Sequence, residues 1–282
     1  MTQSEKTLPY FASFCENMAM TESSDNLRTN ETIETLLNRR SIRKFKPDAI
    51  DEQTIATLET VAQHAASSQY LQDWSAIRVE DQRLKDAIVE ISHQTYVGEA
   101  PLLYLFVADE HRNAAIAQRK GVDVHSDEFT LNSSYRFTQA QNDAAFALHA
   151  METAAYSLGL GCVILGSVLN NPRKLIELLH LPEFTYPVLG LAIGKPDQSP
   201  TLKPRMERDD QFFVDRYPAD DEQLLHGLDE FDATVHKYYD LRNTSRPVDA
   251  FSDQIANNSV DPGVLDRCVE PVAKDQGFRL DH

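Results

Sequence analysis

Apolar residues recur along the chain with two different periods, and the changes of period outline a mixed architecture. After Asn30, a residue suited to capping, Ile33, Leu36 and Leu37 mark one face of a short helix that delivers the chain to Arg39. Residues 45–50 read as extended around Pro47. Asp51 then caps a second helix in which Ile55, Leu58, Val61, Ala62 and Ala65 keep helical spacing. The polar run Ser67-Ser68-Gln69-Tyr70 breaks that pattern, and a loop through Trp74 leads into a short strand at 76–79. Leu84, Ile88 and Ile91 define a third helix. The uninterrupted apolar stretch 102–108 after Pro101 suits a strand buried on both faces, which puts a sheet at the centre of the protein.

From 143 to 158 an alanine-rich segment is apolar almost all round. With Asn142 or Asp143 as its cap and Gly159 closing it, it predicts a buried helix. Residues 162–165 read as a strand, Asn171-Pro172 as the cap and first residue of a helix carrying Leu175, Leu178 and Leu179, and 188–193 as another strand. Leu224, Leu228, Phe231, Val235 and Tyr238 predict a last amphipathic helix. These readings divide the chain into an N-terminal extension without clear period (1–28), a main domain (29–240) and a loop-rich C-terminal excursion (241–282) with short helices.

Composition narrows the possible functions. A chain of 282 residues, 41% hydrophobic and 25% charged, can bury a substantial core as a soluble globular protein. Its 44 Asp and Glu against 27 Lys and Arg, a formal net charge of −17, argue against nucleic acid or an anionic membrane as a partner. Cys15, Cys162 and Cys268 are too scattered for a disulfide framework or a zinc knuckle and fit a reducing cytoplasm. The sequence shows neither a basic leader with a long apolar run nor a segment of membrane-spanning length. There is no His-x-x-x-His, paired cysteine or G-x-S-x-G, so no metal and no serine nucleophile is expected.

Against that acidic background two basic clusters stand out, Arg39-Arg40-Ser41-Ile42-Arg43 and Lys203-Pro204-Arg205. Either one alone fits a helix end or an exposed surface. Together they have the chemistry to clamp a phosphate from two sides through charge-assisted hydrogen bonds. Gly159, Gly161 and Gly166 lack the G-x-G-x-x-G spacing and follow a helix, which argues against a Rossmann-type nucleotide turn. Gly159 reads as a helix C-cap, and Gly166 as a turn or as a place where backbone approaches a flat ligand. His64 and His149 fall within helices as packing or surface residues, and the acidic stretch 207–232 reads as a solvated face.

In order along residues 31–246, the two clusters, the Ser67-Ser68-Gln69 loop, Gln94, the Ile164-Leu165-Gly166-Ser167 strand end and the alanine-rich helix resemble the flavin-dependent nitroreductase family. The likeness is greatest to its oxygen-insensitive NADPH nitroreductase and flavin reductase branch. The resemblance implies an α+β sandwich, with a mainly antiparallel central sheet flanked by helices, and a homodimer with FMN at the subunit interface.

Carried over by position, it implies that Arg39 and Ser41 meet the FMN phosphate from one side and Lys203 and Arg205 from another, with Arg40 in the same binding segment. Arg43 is implied near N1 and O2 of the ring, where charge accumulates on reduction. Ser67, Ser68 and Gln69 would cover ring atoms or ribityl hydroxyls, Gln94 the ring edge, and Ile164, Leu165 and Gly166 would offer backbone groups. Arg242 and Arg246 would meet the phosphate of NADPH, favoured over NADH as reductant.

The implied reaction is ping-pong hydride transfer from NAD(P)H through flavin N5 to nitroaromatics, quinones or free flavin, with no catalytic side chain. A non-catalytic flavin-binding storage or regulatory protein fits the same pattern. An acidic protein without flavin would leave the two clusters unexplained. Ser167 stands where the family often has glycine and Arg39 where it sometimes has histidine. Ser167 and Trp74 could both narrow a substrate pocket, although core packing is the favoured role for Trp74.

Overall fold

The computed structural model describes residues 27–238, 245 and 247–281, so Arg242, Arg246 and Cys15 lie outside the described residues. The chain separates into a unit Met1–Leu37 and a larger one, Asn38–His282. The described part of the first contains helix α1 (Glu31–Leu37), where the Asn30 carboxamide accepts from the Ile33 N–H at 3.0 Å, the capping read from the sequence.

In chain order the larger unit comprises α2 (Glu52–Gln63), β1 (Trp74–Arg78), α3 (Gln82–Ser92), α4 (Tyr96–Glu99), β2 (Leu102–Asp109), α5 (His111–Arg119) and α6 (Ser134–Ser157). These are followed by β3 (Gly161–Leu165), α7 (Pro172–Leu179), β4 (Thr185–Gly194), α8 (Asp221–Leu224), α9 (Leu228–Lys237), α10 (Phe251–Ser259) and α11 (Val269–Asp275). The strands form one antiparallel sheet in the order β1-β2-β4-β3, the α+β sandwich expected. β2 and β4 are central. β2 is buried on both faces: Tyr104, Phe106 and Ala108 point to a core shared with α2, α6 and α11, while Leu103 and Leu105 point to a second core with α3 and α4.

Two helices differ from the sequence reading. α6 begins nine residues before the expected start, with Ser133 as its cap, so Asp143 is a fully buried mid-helix residue and not a cap. Its first turns were hidden because Tyr135, Arg136, Thr138, Gln139 and Gln141 interrupt the apolar pattern. The last amphipathic helix divides into α8 and α9 around Leu225–Gly227. Other expectations match closely. Asp51 accepts from the Thr54 N–H, Asn171 caps the helix that starts at Pro172, and Gly159 closes α6 at φ +75°.

Trp74 opens β1 and stacks on Phe106 with ring centroids 6.0 Å apart, the packing role favoured for it. From the C-terminal stretch, Val272, Ala273 and Phe278 enter the main core, and the Phe278 ring lies 4.7 Å from that of Phe137.

Candidate cofactor site

The first basic cluster crosses the end of the sheet formed by β3 and β4. Ser41 bridges to Cys162 in parallel, and the Ile42 N–H donates to the Cys162 carbonyl at 2.8 Å. The next residues lie along the exit of β4. Phe45 bridges to Pro196, the Lys46 N–H donates to the Lys195 carbonyl at 2.9 Å, and Lys44 pairs with Asp197 at 2.9 Å. Two glycines opposite one another in the β3–β4 ladder, Gly161 and Gly194, permit this crossing. A Cβ on Gly161 would lie 2.6 Å from Ile42 Cγ1, and one on Gly194 would lie 2.9 Å from Phe45 Cδ1.

Helix α6 fixes the same segment from behind. Arg39 donates from Nε (3.2 Å) and Nη2 (2.8 Å) to one oxygen of buried Glu152, and its guanidinium lies 6.0 Å from the Tyr156 ring centroid. The Tyr156 hydroxyl donates to the Arg40 carbonyl at 2.5 Å, with the Cys162 carbonyl 3.0 Å away. Glu152 also receives His149 Nδ1 at 3.2 Å.

Two of the cations that the sequence singled out differ from their neighbours in one respect. Lys44 and Lys195 have carboxylate partners, Asp197 and Asp48, whereas partly buried Arg43 and exposed Lys203 have none among the described residues. Arg205 donates from Nη1 only to the carbonyls of its own loop, Lys203 (3.2 Å) and Pro204 (3.0 Å). In a chain with a large excess of acid, unpaired cations at these positions are free to meet an anion.

The Ser67–Gln69 loop is a single tight turn, also anchored on α6. Ser68 donates from its N–H (2.7 Å) and from Oγ (3.0 Å) to the two oxygens of Asp143, and Arg136 Nη2 donates to Gln69 Oε1 at 3.1 Å. Gln69, Tyr70 and Gln72 all adopt positive φ, near 50–60°, which is unfavourable for residues with a Cβ. The two anchors, Asp143 for this turn and Glu152 for the basic segment, stand nine residues apart on α6, about 14 Å of helix.

Gln94 lies in the link between α3 and α4, where its carbonyl accepts from the Val97 N–H at 3.1 Å. The C-terminal end of α3 is tied to the residues after β3, since Asn170 Nδ2 donates to the Ile91 carbonyl at 3.1 Å. Ile164 and Leu165 end β3, and Gly166 follows as an exposed residue with ordinary helical dihedrals, φ −74°. A Cβ built on Gly166 meets nothing within 4 Å, so neither backbone conformation nor protein packing demands glycine there. Ser167 begins a short 3-10 turn, Ser167–Asn170.

Arg43 and Lys203 thus offer cations without a carboxylate partner among the described residues, and Gly166 an open stretch of backbone, whereas Arg39 is already committed to Glu152. The acids that hold the parts in place, Glu152 and Asp143, did not emerge from sequence reasoning. Their signal was the presence of two carboxylates on an otherwise alanine-rich buried helix.

The sheet order and the helices on either side of it define an α+β sandwich protein. The chain belongs to the nitroreductase family: the profile of the Nitroreductase family matches residues 36–195, and that of the Nitroreductase family, C-terminal domain, matches 203–281. It is 34% identical over 229 residues to FMN reductase (NADPH) of Bacillus subtilis, covering 81% of this chain and 91% of that protein. Among solved structures it is similar to the NfrA1 nitroreductase of B. subtilis, with TM-score 0.80 and 32% identity over 88% of this chain and 98% of that one. It is also similar to the NADPH:FMN oxidoreductase of Vibrio harveyi complexed with NAD+, with TM-score 0.75 and 28% identity over 88% and 99%.

Proposed function

We infer that this chain is an FMN-dependent NAD(P)H oxidoreductase that reduces nitroaromatics, quinones or free flavin. The observation that carries this reading is membership of the nitroreductase family over residues 36–195 and 203–281, with relatives named for FMN and NADPH. When bound, FMN supplies two-electron chemistry at its ring, so the protein needs no nucleophile of its own.

The chain's residues bind and orient. Arg39, Arg40, Ser41, Lys203 and Arg205 form the phosphate clamp. Of these Arg39 is the most constrained, with two guanidinium nitrogens committed to Glu152. Arg43 is assigned to the pyrimidine edge of the ring, where a fixed cation favours the reduced anionic form. Ser67, Ser68, Gln69 and Gln94 serve the ring edge and ribityl chain, and Ile164, Leu165 and Gly166 form the shelf beneath it.

NADPH is the preferred reductant, met by Arg242 and Arg246. Residues 29–240 carry the FMN site, and 241–282 complete the same domain or its partner. The active form is a homodimer. Tyr135 and Phe146, 61% and 52% exposed on a helix whose other face enters the core, favour a second copy of the chain against α6. Free thiols at Cys162 and Cys268 fit a reducing cytoplasm. No helix among the described residues is long and apolar enough to cross a membrane.

The purified protein is expected to be yellow and to bleach on anaerobic addition of NADPH. Colour without bleaching would leave a flavin binder and not an enzyme. No colour after preparation with excess FMN would reject both.

A further inference from the structure

Three buried carboxyl groups lie directly behind the turn assigned to the flavin: Asp73 just before β1, Asp143 in mid-α6 and Glu110 before α5, all with no solvent exposure. They are not paired as buried carboxylates ordinarily must be. Asp143 accepts both hydrogen bonds of Ser68, at 2.7 and 3.0 Å. Asp73 faces Asp143, yet no protein donor reaches either of its oxygens among the described residues. Glu110 accepts from Asn113 Nδ2 at 3.2 Å through one oxygen, and its other oxygen has no donor. Asn113 also donates to the Leu71 carbonyl at 3.1 Å, so Glu110 too reaches the turn through one intermediary.

Two adjacent buried carboxyl groups of like charge cannot both ionise without severe cost. If Asp73 keeps its proton, it becomes the donor missing from the geometry, and Asp143 is the acceptor it faces. Asp143 then accepts from three donors, two of them from Ser68. Those two bonds, with Arg136 on Gln69 and the Gln72 N–H on Ser67 Oγ at 2.7 Å, hold a turn whose dihedrals the chain would not adopt unaided.

We propose that Asp143 and Asp73 act together as positioning residues for the flavin: a proton shared between their carboxyl groups keeps Asp143 on Ser68 and the Ser67–Gln69 turn closed, which couples FMN affinity to the protonation of a buried acid pair. This rests on the assignment of that turn to FMN.

The surroundings support the protonated state. Burial first, then the hydrogen bond and charge of Asp143 and the charge of Glu110, push the Asp73 carboxyl up to about 8. Burial pushes Glu110 up to about 7, with Asp109 and Asp143 adding to that effect. Arg136, from α6, is the cation acting on Glu110. Asp109, at the end of β2, is engaged by Arg112 at 2.9 Å and by Ser75 Oγ at 2.5 Å. Raising the pH past about 8 therefore places a second negative charge against Asp143 and loosens the turn.

The test is the FMN dissociation constant of the full-length holoprotein between pH 6 and 9.5, read from the fluorescence of flavin released on dilution. Wild type is expected to weaken severalfold as pH rises through the upper part of that range. Asp73→Asn, whose amide donates to Asp143 at every pH, should keep the low-pH affinity and flatten the profile. Asp143→Asn should weaken binding about tenfold at pH 7, the loss of roughly one hydrogen bond to a charged group. If Asp143→Asn does not fold, the comparison of wild type with Asp73→Asn decides the matter alone. Parallel profiles for those two proteins overturn the proposal. Ser68→Ala and Gln69→Ala separate the two layers: if neither changes FMN affinity, the turn does not face the flavin. If they weaken it while the two profiles stay parallel, only the acid pair is wrong.

Discussion

Arg39 Nη2 lies 2.8 Å from Glu152 Oε1, joining the first basic cluster to the longest helix across 113 residues of sequence. The pair is asymmetric, because the Arg39 side chain is 27% exposed and that of Glu152 only 1%. Removing the carboxylate leaves a cation that can turn toward water. Removing the cation strands a buried carboxylate with His149 as its remaining side-chain hydrogen-bond partner among the described residues. Arg39→Met should therefore cost about 3 kcal/mol, and Glu152→Gln clearly less, in urea unfolding followed by circular dichroism. Equal costs would show that Arg39 works mainly by reaching the solvent side.

The glycines of the site separate packing from binding. Gly161→Ala forces its Cβ into Ile42, 2.6 Å from Cγ1, and should destabilise the protein by about 1–3 kcal/mol while displacing the basic segment. Gly166→Ala meets no protein atom and keeps a permitted φ, so its unfolding free energy should change by less than about 1 kcal/mol. Its FMN affinity should nevertheless fall, as expected if the ring rests on that backbone. Wild-type flavin affinity in Gly166→Ala would move the ring elsewhere.

Stability should decline as pH rises from mildly acidic to mildly alkaline. Asp73 and Glu110 bind their protons more tightly folded than unfolded. Between the ordinary carboxylate value of 3.8 and about 8 for Asp73, the unfolded chain releases a proton that the folded one keeps, and each step up in pH favours unfolding. Glu110 adds the same sign between 4.5 and about 7. The capping residues Asp51 and Asp81 act oppositely: hydrogen bonds from Thr54 and Arg83 hold them below 3.8, so their contribution vanishes only in stronger acid. Thermal midpoints should be highest near pH 5 and lower at pH 8, and Asp73→Asn should reduce the difference.

Changing Lys203 and Arg205 together to alanine should weaken FMN binding while leaving the circular dichroism spectrum and melting temperature nearly intact. Neither side chain has a carboxylate partner among the described residues to lose. Binding by wild type should weaken with added salt more steeply than binding by this variant. Arg242→Ala with Arg246→Ala should raise KM for NADPH several-fold and leave FMN binding unchanged. An unaltered KM would remove those two arginines from the site.

Much of the frame was legible because it is local. Asp51, Asn171-Pro172 and Gly159 mark element ends through their own backbone chemistry, and the apolar run of β2 could only be a doubly buried strand. The basic clusters were visible because charge stands out in an acidic chain. What stayed hidden was non-local. An acid in an alanine-rich helix looks like a cap or a surface residue until something distant buries it, as Ser68 does Asp143 and Arg39 does Glu152. Phe278 offered no periodic pattern to announce that it fills the core beside Phe137.

β3 forms an outer strand of the sheet, and in the described residues the bridge between Ser41 and Cys162 is what covers its far side. An uncovered strand invites pairing with another molecule. The residues assigned to recruit the cofactor thus also act as a guard rail. A lesion that lifts them would bare the edge of β3 to other molecules at the same time as it disturbs the assigned phosphate clamp.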